Sequence, residues 1–373
     1  MITREFPPIC GGLGYYVFYL SRQLIQRGHT VQVITRGNFS ENSVSCVDGI
    51  TLFKVPFFPI YPFHIPLHGF FVNKLVKSLE PELSLIHLHS PLPPPVKTCL
   101  PVITTFHSPC KRAFEKTYRD TKDLRAFAEQ LQTMIVYPAI ESQIFRISDK
   151  ITCVSQSVKK ELSSYGISKN ITIVENAVDH KFFAPKLLET TTKPYILFVG
   201  ILRSGKGVLE IVKCAKSVCD KRPDARFIVC GAGPLFKSLR SEVHKMGLQR
   251  QIILMGYVDR VRLIALYQKA AVLFHPSSHE GLSTVILEAM SCGLSVVAND
   301  IPGNRAVIST GINGILVPDK SPESAACAIL NLLNDDKLRL SIGSAARRTI
   351  ESQYSWEKAT DRMIECYSEL LKK

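Results

Sequence analysis

No long apolar segment in this sequence is free of proline, and this absence excludes a membrane-spanning helix. The most apolar stretch, residues 55–72, has prolines at positions 56, 59, 62 and 66. Prolines at that density break a spanning helix, so the stretch is predicted to be an irregular apolar loop. Near the first residue, Arg4, Glu5 and two prolines interrupt any apolar region, and a signal peptide is not expected.

Paired cysteines are also missing. The eleven cysteines are scattered without a C-x-x-C pair, and an odd count in a chain of this length argues against a disulfide framework. Cys153 and Cys230 stand in apolar runs, where cysteine behaves as a small buried residue of a reducing compartment. The cytoplasm is therefore the expected location.

Motifs for nucleic acid and for metal are absent as well. The sequence contains no recognition-helix motif, RNA-binding aromatic motif or paired zinc-ligand spacing, so nucleic acid ranks last among the expected partners. His87 and His89 lack nearby acids and make a poor zinc site, and no bound metal is expected. The net charge of +14 favours other acidic partners, namely nucleotide diphosphates or anionic lipid head groups.

What the chain does contain is a regular alternation of short apolar runs and amphipathic helices. Its 373 residues, 46% hydrophobic and 21% charged, suffice for two globular domains. The alternation predicts an α/β protein with parallel sheets covered by helices on both faces. Helices are expected over 14–27 and 356–371, and strands over 31–34, 85–88, 102–106, 150–154, 171–174, 195–199, 226–230, 252–255, 271–274 and 295–298.

The domain boundaries follow from composition. Residues 184–194 have the composition of a linker, so we expect an N-terminal domain over 1–185, a second domain over 186–355 and a closing helix over 356–373. Only Met1–Thr3 precedes the first glycine-rich turn, too short for the central strand that normally opens such a sheet. We expect either an abbreviated first strand or, preferably, a few missing residues.

The most informative segment is residues 278–290, in which Glu280 precedes a small-residue turn and Glu288 lies in the helix that follows. The turn Gly281-Leu282-Ser283 can present backbone N–H groups at a helix N-terminus, where a phosphate binds readily. Carboxylates on either side can accept hydrogen bonds from sugar hydroxyls, which fits a bound nucleotide sugar. An ordinary capped helix with a solvated acid is the alternative.

Three glycine-rich turns follow predicted strands, at residues 11–14, 200–207 and 231–234. Such turns let the backbone approach a ligand, and ligands of open α/β sheets collect at these strand ends. Arg203 and Lys206 in the second turn can neutralise a diphosphate, although a solvated basic loop is the alternative. His107 ends an apolar strand and either faces a ligand or is a core histidine bonded to backbone.

In this order the motifs resemble those of the retaining glycosyltransferases of family 4, which have the GT-B fold. The resemblance covers nearly the whole length, and the pair of glutamates eight residues apart is its most specific part. The segments that carry it are Glu5-Phe6-Pro7-Pro8 with Gly11-Gly12, Gly28 to Val31, Thr105-Phe106-His107, Asn176 to Asp179, Phe198-Val199-Gly200, Lys206-Gly207, Gly231 to Pro234, Glu280 with Glu288, and Tyr354-Ser355-Trp356.

The resemblance implies two facing Rossmann-like domains, with the final helix crossing back to the first. It implies transfer of a hexose with retention of configuration, from a nucleotide diphosphate sugar to a glycan or lipid-linked acceptor, with no cofactor and no obligatory metal. His107, Glu280 and Lys206 would act at the transferred sugar and the leaving diphosphate. Donor binding would fall to Gly12, Arg203, Gly281, Leu282, Ser283 and Glu288, the last at the ribose.

The chain departs from the family pattern at two positions. Ile201 stands where an arginine often follows the glycine, and Arg203 is expected to substitute for it; Ala306 replaces a frequent glutamate. A nucleotide-sugar epimerase or a noncatalytic sugar-nucleotide-binding subunit is the alternative function. The apolar residues 57–61 suggest contact with an anionic membrane, at its inner face, with a lipid-linked acceptor; a proline-rich loop over a core is equally consistent.

Overall fold

Two units of α/β structure make up the chain. The computed structural model describes residues 1–8, 11–60, 63–109, 136–167, 170–186 and 195–372. Unit 1 contains Met1–Asn176 and Trp356–Lys373, and unit 2 contains Ala177–Ser355. The chain thus passes between the units at 176/177 rather than at the predicted 185/186, and most of the predicted linker lies outside the described residues.

Unit 1 has a largely parallel sheet with helices packed on it. Its strands are β1 (Gln32–Arg36), β2 (Ser43–Val47), β3 (Ile50–Val55), β4 (Ile86–Ser90), β5 (Val102–Phe106), β6 (Lys150–Cys153) and β7 (Ile171–Ile173). Its helices are α1 (Gly12–Gln26), α2 (His64–Leu79), the 3₁₀ turn Glu80–Glu82, α3 (Tyr137–Ile147), α4 (Gln156–Ser163) and α12 (Trp356–Leu371).

The segment Met1–Thr3 occupies the centre of this sheet despite its length. Ile2 pairs in parallel with Ile34 of β1 and with Leu88 of β4, and it is almost fully buried. It joins the order β2-β3-β1 to the order β4-β5-β6-β7. A three-residue segment can hold this place because backbone hydrogen bonds reach it from both neighbours, including Ile2 N–H to the His87 carbonyl at 2.8 Å.

Two elements of unit 1 differ from the prediction. The hairpin β2–β3 was not predicted, although its turn residues Asp48 and Gly49 both have positive φ, as two-residue hairpin turns require. The prediction of an irregular loop over 55–72 is wrong from His64 onward, where α2 begins. Pro66 lies in the first turn of α2, where its missing N–H removes no intrahelical bond.

Helix α12 packs on α1 within unit 1. Arg27 at the end of α1 donates to Asp361 at 2.8 Å, and the ring of Trp356 stacks on that of Tyr19. The Tyr367 hydroxyl is 2.7 Å from Nδ1 of the buried His87 on β4. These contacts tie the predicted closing helix to the sheet of unit 1.

Unit 2 is a six-stranded parallel sheet with helices around it. Its strands are β8 (Tyr195–Val199), β9 (Arg226–Cys230), β10 (Ile252–Gly256), β11 (Val272–His275), β12 (Ser295–Asn299) and β13 (Ile315–Val317). Its helices are α5 (Val208–Lys221), α6 (Phe236–Lys245), α7 (Arg260–Lys269), α8 (Thr284–Ser291), α9 (Pro302–Arg305), α10 (Pro322–Asn334) and α11 (Asp336–Gln353).

The strand order of unit 2, β10-β9-β8-β11-β12-β13, reverses direction between β8 and β11. Open parallel sheets bind ligands at such a reversal, outside the carboxyl ends of the strands. The loops that leave β8 and β11 are residues 200–207 and 276–283, which contain the predicted glycine-rich turn and the turn before α8. The fold therefore brings two of the predicted motifs to one place.

Among the described residues, no helix is both long and apolar enough to span a bilayer. The described cysteines are free thiols, and Cys153 and Cys230 are buried as the apolar runs predict.

Candidate functional site

Backbone contacts fix the two loops at the strand-order reversal against each other. Gly205 carbonyl oxygen accepts hydrogen bonds from the N–H of Ser278 at 2.9 Å and from the hydroxyl of Ser277 at 3.2 Å. Gly207 has a φ of +64°, and a side chain there would overlap the Pro276 carbonyl oxygen. Only glycine accommodates both that φ and that approach, which explains the glycine after Lys206.

Lys206 and Glu280 meet across these loops. Lys206 Nζ donates to Glu280 Oε1 at 2.6 Å, and both side chains are mostly buried. Burial by itself raises the pKa of Glu280, but the charge of Lys206 and the hydrogen bonds from His275 and Lys206 hold it well below its usual range. Glu280 is therefore a carboxylate at neutral pH, beside a cation that can also reach an anionic ligand.

The turn after Glu280 begins helix α8. Ser283 is its N-cap, and its hydroxyl accepts the N–H of Ile286. Gly281 and Leu282 are buried, and Gly303 of α9 packs so closely that a side chain there would overlap the Glu280 backbone. The turn is thus held rigidly, with the first N–H groups of α8 at the edge where β8 and β11 end.

Glu288 is buried on α8 and is held by two donors from α7. The Tyr267 hydroxyl donates to Glu288 Oε2 at 3.0 Å, and Arg260 Nη1 donates to Oε1 at 3.2 Å. Burial raises the pKa of Glu288 above its ordinary value, while the Arg260 charge and the hydrogen bond from Tyr267 oppose the rise.

Arg203 and the glycine turn at residues 231–234 were also predicted to belong to the site, and their side chains contribute less to it than those of Lys206 and Glu280. Arg203 is exposed, and no ion pair of its side chain is found within the described ranges. The turn at residues 231–234 packs on the loop after β8, because a side chain at Gly231 would overlap the Gly200 carbonyl oxygen. It therefore supports that loop through its backbone, with Leu202 N–H donating to the Ala232 carbonyl at 2.9 Å.

In unit 1, His107 follows β5 and lies in an aromatic and histidine cluster. Its Nε2 is 3.5 Å from Nδ1 of His89, and the ring of Tyr16 contacts it edge-on with centroids 4.5 Å apart. Burial lowers the pKa of His107 to about 3, against an opposing hydrogen bond with Asn176. His107 is therefore a neutral imidazole at physiological pH.

Gly12 is the first residue of α1, at the predicted anion-binding turn of unit 1. The carboxylate of Glu5 lies at this helix N-terminus, where it accepts the N–H of Gly14 at 3.3 Å. A carboxylate there is stabilised by the free N–H groups and by the helix dipole. The turn to which the resemblance assigns part of donor binding thus already faces an acidic side chain of the same unit.

The structure places Lys206 beside Glu280 at one edge of unit 2, with the turn Gly281–Ser283 directly after Glu280 and Glu288 in the helix that follows. It adds three residues that sequence reasoning missed: His275, Arg260 and Tyr267. A polar residue at the end of an apolar strand was the available signal for His275. Within the parts of the chain that the structure describes, no group of three His, Cys, Asp or Glu side chains could hold a metal ion.

Two family models together match most of the chain. The family described as "Glycosyltransferase Family 4" matches residues 10–182, and "Glycosyl transferases group 1" matches residues 179–349. An uncharacterised glycosyltransferase of Methanocaldococcus jannaschii is 25% identical over 387 residues, which cover 98% of this chain and 97% of the relative.

Two solved structures have the same fold. The sucrose-phosphate synthase of Thermosynechococcus elongatus superimposes with a TM-score of 0.84 at 19% identity, covering 100% of this chain and 98% of that one. Anabaena HepE in complex with UDP-glucose gives 0.74 at 16% identity, covering 99% and 98%. Two α/β units with parallel sheets define a protein of the GT-B class. The chain belongs to the GT-B glycosyltransferases of family 4.

Proposed function

We propose that the protein transfers a hexose, with retention of configuration, from a nucleotide diphosphate sugar to a glycan or lipid-linked acceptor. The observation that carries the proposal is the pairing of Lys206 with Glu280 at the strand-order reversal of unit 2. A mostly buried carboxylate beside a mostly buried ammonium suits both halves of such a donor, the sugar hydroxyls and the diphosphate.

The roles divide along the donor. Lys206 Nζ has three N–H donors, so its bond to Glu280 leaves others for the diphosphate, and exposed Arg203 can add charge there. These cations would stabilise the leaving diphosphate without an obligatory metal ion. Glu288, with Arg260 beside it, would accept from the ribose. The UDP-glucose bound to Anabaena HepE supports a nucleotide sugar as the donor.

A panel of nucleotide sugars tests this proposal. The donor should raise the melting temperature, and the product formed with an acceptor should keep the anomeric configuration of the donor in its NMR spectrum. Incubation without acceptor separates transfer from epimerisation, since an epimerase converts the nucleotide sugar alone. A noncatalytic subunit would bind a donor and yield no product with any acceptor. Turnover that requires an added divalent ion would contradict metal independence.

Substitution of the paired residues should abolish transfer. Lys206→Ala and Glu280→Ala are each expected to lower turnover by at least a hundredfold, or roughly 3 kcal/mol of lost transition-state stabilisation, while the protein stays folded. Lys216→Ala is the matched control, because Lys216 pairs on the surface with Asp220. Wild-type turnover in both site variants would refute the assignment of the site.

A lipid-linked acceptor is proposed from a surface of unit 1. Phe63, Leu67 and Phe70 form this α2 surface; Phe63 is 61% exposed and Phe70 is 67% exposed. These three residues recur along one face of α2 and its N-cap. The helix contains lysines at 74 and 77 and no acidic residue. Aromatic side chains followed by lysines suit the boundary between water and an anionic bilayer. Because free cysteines are typical of a reducing compartment, we propose the cytoplasmic face of the membrane.

Liposome co-sedimentation tests the α2 surface. We expect binding to vesicles that contain phosphatidylglycerol at low salt, and weaker binding as salt rises. Phe63→Ser with Phe70→Ser should reduce binding by about tenfold, whereas Ile312→Ser, at an exposed apolar residue of unit 2, should not. Absence of binding at low salt would remove the membrane from the proposal and leave soluble glycans as acceptors.

A further inference from the structure

His275 is the last residue of β11 and points its imidazole at Glu280. Its Nε2 is 3.1 Å from Glu280 Oε1, and the side chain is almost fully buried. Since Glu280 is ionised, its carboxylate accepts the hydrogen bond and His275 Nε2–H donates it. Its Nδ1 is buried without a hydrogen-bond partner in the described part of the chain.

Both donors that hold Glu280 act on the same oxygen. Lys206 Nζ and His275 Nε2 each bond to Oε1, and the described residues provide no hydrogen bond to Oε2. A carboxylate held in this way has one anchored oxygen and one oxygen available to a ligand. The available oxygen has the chemistry to accept a hydrogen bond from a sugar hydroxyl.

The two donors differ in how freely they can move. Lys206 has a flexible four-carbon side chain and a charge that an incoming diphosphate attracts. His275 cannot follow, because its backbone is part of β11, where it pairs with Ala298, and the next carbonyl, that of Pro276, accepts from Asn299 Nδ2 at 2.9 Å. When Lys206 turns toward a diphosphate, His275 still holds Oε1.

We propose that His275 is a positioning residue that keeps Glu280 oriented toward the transferred sugar while Lys206 engages the diphosphate. This inference rests on the proposed function and adds to it the residue that separates the two roles of the ion pair. It assigns to His275 no contact with the donor and no proton transfer.

Two variants at position 275 test the role. His275→Leu removes the donor but fills the buried space, and it should lower kcat by roughly ten- to a hundredfold, as expected for a lost hydrogen bond to a charged group. Binding of the nucleoside diphosphate that belongs to the active donor (UDP, GDP or ADP) should change less than about twofold, because that ligand lacks the sugar. His275→Gln places an N–H near the same point and should recover most of the activity.

A double-mutant cycle with Glu280→Gln shows whether His275 acts through Glu280. The effect of His275→Leu should largely disappear in the Glu280→Gln background, since interacting residues are not additive. Full additivity, wild-type kcat in His275→Leu, or a parallel loss of nucleoside diphosphate affinity would each overturn the role of His275. Inactivity of the wild type with every donor would instead overturn the proposed function, and the role of His275 with it.

Discussion

The groups that favour the charged form of the buried Glu288 come from α7. Burial favours the protonated carboxyl, and the Arg260 guanidinium, whose Nη1 is 3.2 Å from Oε1, is the charge that opposes it. Arg260 also lies over the ring of Phe183, with 4.7 Å between its Cζ and the ring centroid. The guanidinium of Arg260 is therefore held between the ring face of Phe183 and the carboxylate of Glu288.

Removal of that charge should move the pH at which nucleotide binding is lost. Arg260→Met raises the pKa of Glu288 further, so the carboxylate is lost at a higher pH as the solution is acidified. The midpoint of nucleoside diphosphate binding, measured by calorimetry against pH, should rise by about one unit or more. Arg262→Met is the control, since Arg262 is 82% exposed on the same helix. An unchanged profile, or one displaced to lower pH, would contradict this.

At the scale of elements, the two loops of unit 2 meet through glycine backbones. Gly205 and Gly207 both have positive φ, +82° and +64°, but their surroundings differ. A side chain at 205 would meet nothing within 4 Å, whereas one at 207 would overlap the Pro276 carbonyl. Substitutions at Gly205 and Gly207 therefore separate two contributions to the unfolding free energy: the strain of a left-handed backbone, and the displacement of one loop from the other.

Alanine at the two positions should therefore have unequal effects. Gly205→Ala is expected to cost about 1 kcal/mol of unfolding free energy from backbone strain alone. Gly207→Ala should cost about 3 kcal/mol or more, because the loop after β11 has to shift as well. Urea unfolding followed by circular dichroism measures both, and equal losses would show that the contact with Pro276 is unimportant.

The elements that the sequence predicts well are those with a strong local pattern. Strands such as β5 and β8 are short apolar runs, and their bounds match the prediction. Met1–Thr3 could not be predicted as a central strand, since its pairing depends on β1 and β4 on both sides. Helix α2 was missed because the four prolines of residues 55–72 were counted together, although only Pro66 lies in the helix, in its first turn.

In the site, too, features with a local sequence pattern were predicted and contacts that depend on tertiary packing were not. The turn that contains Lys206 and the Glu280 segment were both expected where ligands of open α/β sheets collect, at the carboxyl ends of strands, and in the structure Lys206 Nζ donates to Glu280 Oε1. The partners of Glu288 could not be predicted, because Arg260 and Tyr267 reach it only through the packing of α7 on α8. Local motifs identify the residues of such a site, while the register of packed helices determines their partners.

At the scale of the whole molecule, the pH dependence of stability should come in part from three histidines of unit 1 that are uncharged in the folded state. Burial lowers the pKa of His107 to about 3, and it lowers the pKa of His87 and His89 well below the ordinary value of 6.5. These residues are neutral in the folded protein and become protonated on unfolding in mild acid. Between about pH 6.5 and pH 3 the unfolded state binds more protons, so stability rises with pH.

The stability of unit 1 should thus fall as the pH drops below 6.5. Each histidine contributes up to about 1.4 kcal/mol per pH unit. Trp356 is the single tryptophan and contacts Tyr16 in unit 1, so its fluorescence during urea unfolding reports on this unit. His89→Gln should reduce the slope of unfolding free energy against pH by the equivalent of about one proton. His29→Gln, at an exposed position, should leave that slope unchanged. A midpoint independent of pH between 5 and 7 would refute the prediction.

The assignment of α12 to unit 1 also bears on synthesis in the cell. Residues 177–355 are translated between the first part of unit 1 and the helix that packs on α1. At 5–20 residues per second, the ribosome needs roughly 10 to 35 seconds for that stretch. Throughout this interval the face of α1 that receives Trp356 and Asp361 is without its helix. The whole of unit 2 is thus synthesised before α12 is available to pack on α1 and complete unit 1.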